Sequence, residues 1–156
     1  SEDNSLSVIA QVKTYLDGQQ ISYTDGAVTT SADVQTSARN LLGQCDAIFA
    51  PIDNTVASAM AVLADEAIQA KKPVYVAADS MVADGGLATV GVNYTNLGSQ
   101  TADMVLKILT GTPAGEIPVE VLRDNAIVIN GNTARAIGVD ISKYGPNDAD
   151  IVSAVN

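Results

Sequence analysis

The sequence predicts an α/β domain, a doubly wound and mostly parallel sheet with helices on both faces. Three observations predict it. Short runs that are apolar throughout, at 47–50 and 74–77, alternate with apolar faces that repeat at helical spacing over ten or more residues. Apolar residues make up 47% of the 156 and are mostly Ala, Val, Ile and Leu, with 4% aromatic residues and no Trp, which suits helices packed closely on a sheet. The joints between runs, such as Pro51-Ile52-Asp53-Asn54-Thr55, carry more polar chemistry than a plain turn requires.

The elements follow in order. Leu6, Ile9, Val12 and Leu16 fall at helical spacing behind Asn4-Ser5, which can cap, and Gly18 stops that helix. Residues 21–28 alternate enough for a short edge strand, interrupted by Asp25-Gly26. Val34, Ala38, Leu41 and Leu42 form a second helical face between Thr30-Ser31 and Gly43. The strand 47–50 leads into a helix from Thr55 to Ile68, with Val56, Met60, Leu63 and Ala67 on one side. Lys71-Lys72 sit where a helix dipole favours cations, and Pro73 blocks continuation. A strand at 74–77, a loop at 78–86 and a strand at 87–92 come next, then a helix at 96–109 ended by Gly111. Beyond it Pro113 and Pro118 punctuate a linker, 119–122 and 126–129 are short strand candidates, and 132–137 is a last short helix. The tail from Lys143 reads as loosely attached. No internal repeat or low-complexity tract is present. One feature is odd: a doubly wound sheet normally starts on a strand, and this chain opens on a helix signal. Either the fold begins with a helix, or an upstream strand and a whole lobe are missing.

Composition removes several functions. A formal net charge of −10 disfavours nucleic acid and anionic membrane surfaces, both of which need clustered Lys and Arg. Cys45 is the single cysteine, so no intramolecular disulfide or cysteine metal cluster forms within the chain. With no His, Ser-His-Asp and Cys-His catalysis and histidine-bound zinc are excluded within it. Neither glycine-rich phosphate loop, GxGxxG or GxxxxGK[ST], occurs. A phospho-acceptor domain of flavodoxin-like shape places a Lys at a strand's carboxyl end, whereas Lys72-Pro73 precedes its strand. Asp53 and Asp79 would be a carboxylate pair lacking base, nucleophile and metal. The expectation is a protein that is not an enzyme and takes no cofactor.

In open α/β sheets, ligands bind outside the carboxyl ends of the strands. Asp53, Asn54 and Thr55 lie at one such end, Asp79 and Ser80 at the next, and Asn93 and Tyr94 at the third; Asn4 takes the equivalent place before the first helix. Short carboxylates and amides suit a small ligand with an ammonium group, and a Tyr can lay its ring on an apolar part. Each has a plainer reading. Asn54 or Thr55 can be a helix cap, Asp79-Ser80 a turn, and Tyr94 a packing residue. Asp53 is harder to dismiss, because a carboxylate at the buried mouth of a sheet wants a partner.

The stretches DAIFAPIDNTVASAM, KKPVYVAADSMVADGGLATVGVNYTNLGSQTADMVLKIL and AIVINGNTARAIGVDI closely resemble ABC-transporter substrate-binding proteins of the tryptophan/tyrosine type. SEDNS resembles that family's Glu-x-Asn-Ser segment, just past the first strand of the second lobe. The resemblance implies a type I periplasmic-binding-protein fold and an extracytoplasmic receptor, lipid-anchored or periplasmic. Such a receptor closes on an amino acid, typically aromatic, and delivers it to a membrane permease. Residues 1–142 would be the second lobe beginning after its first strand, with 96–118 lying against the first lobe and 143–156 a tail. Carried over position by position, ligand contacts fall on Asp53, Asn54, Thr55, Asp79, Ser80 and Asn93, with Asn4 and Tyr94 as further candidates. Asp53 or Asp79 would hold the ammonium. A half-cleft is expected to bind weakly, and an open sheet edge invites a homodimer. The alternative from another class is the effector domain of a LacI-type regulator, which shares the fold but needs a DNA-binding headpiece.

Overall fold

The computed structural model describes residues 3–122, 126–144 and 149–152. Among them five strands form one sheet in the order β1-β2-β3-β4-β5. They are β1 (Ile48–Ala50), β2 (Val74–Val76), β3 (Ala88–Gly91), β4 (Ala126–Asn130) and β5 (Asp150–Val152). The first three run parallel, β4 pairs antiparallel with β3, and β5 runs parallel to β4. The helices are α1 (Asp3–Gly18), α2 (Val34–Leu42), α3 (Asn54–Ala57), α4 (Met60–Gln69), α5 (Asp79–Ala83), α6 (Tyr94–Leu109) and α7 (Gly131–Ile137). The result is the expected α/β class with a mostly parallel sheet.

The core forms where helical and strand periods meet. α4 buries Met60, Leu63, Ala64 and Ala67, spaced i, i+3, i+4 and i+7, and the same cluster includes Val34 and Ala38 of α2 and Val74 and Val76 of β2. Glu66 shares this buried surface and is satisfied by two residues of α2. Arg39 donates to its two oxygens at 2.8 and 2.7 Å, and Gln35 Nε2 donates at 2.7 Å. A two-pronged guanidinium contact of this kind fixes orientation as well as distance. Lys72 Nζ donates at 2.7 Å to the carbonyls of both Leu42 and Cys45. Its charge therefore satisfies the end of α2 rather than of the helix it follows.

Several expected elements differ. The helix expected from Thr55 to Ile68 is divided into α3 and α4 at Ala59, whose φ of −115° and ψ of 18° interrupt the helical turn. Residues 78–86, expected as a loop, contain α5. Residues 21–28 and 119–122 join no ladder among the described residues, because strand character needs a partner edge as well as an alternating pattern. Conversely, part of the tail expected to hang loose supplies β5, whose Ile151 pairs with Ile129. α6 starts two residues earlier than expected, at Tyr94. Two glycines do specific work. A Cβ on Gly91 would stand 2.5 Å from the Ala77 carbonyl oxygen, so glycine lets the ends of β2 and β3 approach. Gly138, at φ 81°, caps α7 in the left-handed conformation.

Candidate functional site

Strands β1, β2 and β3 end level with one another. Ala50 pairs with Val76, and Asp53 and Asp79 each lie three residues further along their chains. Ala78 bridges Val92, and Asp79 and Asn93 each come directly after a member of that pair. The three residues thus lie in one row at the carboxyl edge of three adjacent parallel strands. Neighbouring strands are about 4.8 Å apart, so the row spans roughly 10 Å of backbone, the scale of one small solute.

Each position is set by the start of a helix. Asp53 is the N-cap of α3; its Oδ1 accepts from the Val56 amide at 3.2 Å, and the residue is 2% exposed. The capping that the sequence assigned to Asn54 or Thr55 therefore falls to Asp53, where the helix dipole favours a carboxylate. Asn54 follows exposed and Thr55 half-buried. Asp79 opens α5, half-buried, with Oδ1 accepting from the Ser80 amide at 2.8 Å, and Ser80 is exposed. Asn93 caps α6 by accepting from the Asn96 amide at 3.0 Å. Its carboxamide NH₂ group is the donor end of that side chain. Tyr94, beside it, is 46% exposed. Asn4 is exposed on the first turn of α1 and belongs to no strand end, so the ladder does not bring it into the row. Its neighbour Ser5 does line the same cleft as Asp53.

The row is acidic. Segments 51–55, 77–80 and 92–94 contain Asp53 and Asp79 but no Lys or Arg, and Lys71-Lys72 precede β2 at the opposite end of that strand. Two carboxylates and an amide in a line favour a cationic group such as an ammonium. Among the described residues no group of three or more His, Cys, Asp or Glu could hold a metal ion, and no helix is long and apolar enough to cross a membrane.

Sequence reasoning overlooked the support beneath this row. Asn130, fully buried, caps α7 through the amides of Asn132 and Thr133 and donates to the Val82 carbonyl at 2.9 Å. Thr133 Oγ1 donates to the Gly85 carbonyl at 3.0 Å. Both bonds hold the far end of α5, the helix that Asp79 opens. The signal was the Asn130-Gly131 pair closing an apolar run, which reads as a turn or cap until its partner is known.

The chain as a whole resembles known proteins. The family model described as ABC transporter substrate binding protein matches residues 1–149. A tyrosine-binding protein of Clostridioides difficile (strain R20291) is 28% identical over 159 residues, covering 99% of this chain and 46% of that protein. The ligand-free, open structure of a substrate-binding protein with adhesive properties from Clostridium difficile superposes with a TM-score of 0.79 at 32% identity, covering 99% of this chain and 52% of that one. A Streptococcus pneumonia ABC domain in complex with L-Trp superposes with a TM-score of 0.81 at 30% identity, covering 97% of this chain and 52% of that one. The chain spans about half the length of these relatives.

Proposed function

The chain belongs to the ABC transporter substrate-binding protein family, and on that premise we propose that it is the second lobe of a two-lobed extracytoplasmic receptor for an amino acid. The family is a solute-binding class and not an enzyme class. The observation that carries the reading is the level row of Asp53, Asp79 and Asn93 on adjacent strand ends. In it, Asp53 or Asp79 receives the ligand ammonium, Asn54, Thr55, Ser80 and Asn93 supply hydrogen bonds, and Asn4 and Tyr94 border the ligand. An aromatic amino acid is the favoured solute because relatives are named for tyrosine and seen with L-Trp.

The partners follow from the same premise: a first lobe, and an ABC permease that takes the solute through the membrane. Residues 1–142 make the lobe, 96–118 meet the first lobe and 143–156 form the tail. Supporting that contact, α6 buries none of its 16 residues, and Leu106 and Leu109 are 58% and 78% exposed. A homodimer through the edge of β1 is a competing use of that edge. The regulator alternative shares the fold, and the family match favours the receptor.

The test is calorimetry on the complete receptor with L-tyrosine, L-tryptophan and their N-acetyl forms. The free amino acids bind, the acetylated ones do not, and Asp53→Asn or Asp79→Asn lowers affinity by about tenfold or more, the cost of a lost charged hydrogen bond. N-acetyl-tyrosine binding as tightly as tyrosine, or both variants binding normally, would overturn the proposal.

A further inference from the structure

We propose that Asn130 and Thr133 are positioning residues of the solute site, acting on the ligand through Asp79 by fixing the helix that Asp79 opens. The inference rests on the reading of Asp79 as a ligand contact.

α5 is too short to place itself. It has five residues, Asp79–Ala83, and the first turn of a helix is its costly step, so a helix of this length is held by what it packs against. Met81 and Val82, 2% and 0% exposed, are its packed side. Asp79, half-buried, and Ser80, exposed, begin it at the carboxyl edge of β2. At 1.5 Å per residue, about 4.5 Å of helix separates Asp79 from Val82, so a shift at Val82 is carried to Asp79.

The two side-chain bonds that fix the Val82 end come from one place. Asn130 Nδ2 donates to the Val82 carbonyl at 2.9 Å, and Thr133 Oγ1 donates to the Gly85 carbonyl at 3.0 Å, three residues on. Both donors belong to the junction of β4 and α7, which is itself anchored. The Asn130 amide donates to the Leu87 carbonyl at 2.8 Å, and Asn130 pairs with Val152 of β5. Its Oδ1 accepts from the amides of Asn132 and Thr133 at 3.1 and 3.0 Å, so the carboxamide cannot turn without losing both.

The residue types separate this role from capping. Asp caps a helix about as well as Asn, but a carboxylate has no proton to donate to the Val82 carbonyl. Thr133 lies inside α7, where Val would fill the same shape without a hydroxyl to offer Gly85. Both donors therefore serve α5 rather than the helix they belong to.

The test is calorimetry on the complete receptor with L-tyrosine and L-tryptophan, comparing Asn130→Asp, Thr133→Val, Asp79→Asn and the double variants. Each donor variant is expected to lower affinity by about threefold to tenfold, the worth of one hydrogen bond. In the Asp79→Asn background neither lowers it further. Glu66→Gln, which weakens the contact between α2 and α4, leaves affinity unchanged and so separates positioning from a general loss of stability. Amide exchange gives a local readout. The Ser80 amide, which donates to Asp79, exchanges about tenfold faster in both donor variants, while the Val56 amide, which donates to Asp53, does not change. Thr133→Val keeps the side-chain shape and carries the test alone if Asn130→Asp does not fold. Donor variants with full affinity beside a weakened Asp79→Asn, losses that add in the double variants, or unchanged Ser80 exchange would overturn the inference and leave the receptor reading intact. Full affinity in Asp79→Asn would overturn the role of Asp79 and the inference together.

Discussion

α4 and α6 are both amphipathic helices, yet they stand in opposite relations to the protein. α4 has ten residues and buries five of them against α2 and the sheet. α6 has 16 and buries none, as if the longer helix were a guest on the domain that carries it. α1, also 16 residues long, buries only Ser5. The difference teaches that an apolar stripe establishes a helix but does not name its partner. Most helical stability in proteins comes from packing the stripe, so an unpacked helix contributes little to the domain.

The largest test of that contrast is to cut one apolar side chain from each helix. Leu63→Ala, 4% exposed in α4, should cost about 2–5 kcal/mol in urea unfolding, whereas Leu106→Ala, 58% exposed in α6, should change stability by no more than about 0.5 kcal/mol. A comparable loss at Leu106 would mean that α6 packs on this domain in solution.

A smaller effect compares the two caps in the row. Asp53→Ala removes the acceptor of the Val56 amide in a buried joint and should cost about 1 kcal/mol. Asn93→Ala removes the equivalent bond on the unpacked α6 and should cost less, read as local fraying by hydrogen exchange. Equal global losses would erase the distinction between the helices.

The smallest is a pH effect on the packed side. Hydrogen bonds from Arg39, first, and then Gln35 hold the Glu66 carboxyl below its ordinary value of 4.5. The unfolded chain therefore binds this proton more readily than the folded one. Its contribution is present above pH 4.5 and is lost as the pH falls below 4.5 through the lowered folded value. Glu66→Gln should flatten the urea midpoint against pH in that acid range, leaving a residual slope from Asp33, Glu120 and Asp140, whose carboxyls are also lowered. An unchanged slope would remove Glu66 as a source of acid sensitivity.

Much of the site was legible because its grammar is local. A short apolar run followed by Asp, Asn or Thr and then a helical face marks a strand end, and three such joints recur at 53, 79 and 93. Their common level was not legible, since it depends on the pairings Ala50 with Val76 and Ala78 with Val92. Asn4 shows the limit. Its type matches the others, but it lies within the first turn of α1 and no ladder carries it to their row. Asn130 shows the reverse, a residue of ordinary cap character whose hold on Val82 spans 48 positions.

Sequence alone determined the α/β class, the acidic character, the absence of histidine chemistry and the short polar residues at each strand end. These follow from composition and periods of two and 3.6 residues, which a chain carries wherever it goes. Tertiary structure alone decided that 21–28 stays out of the ladder while 150–152 joins it, that Lys72 serves α2, and that Asp53 and Asp79 follow the ends of neighbouring strands. Those outcomes rest on bonds between distant segments. Whether a backbone amide or a buried charge is satisfied depends on what the rest of the fold brings to it.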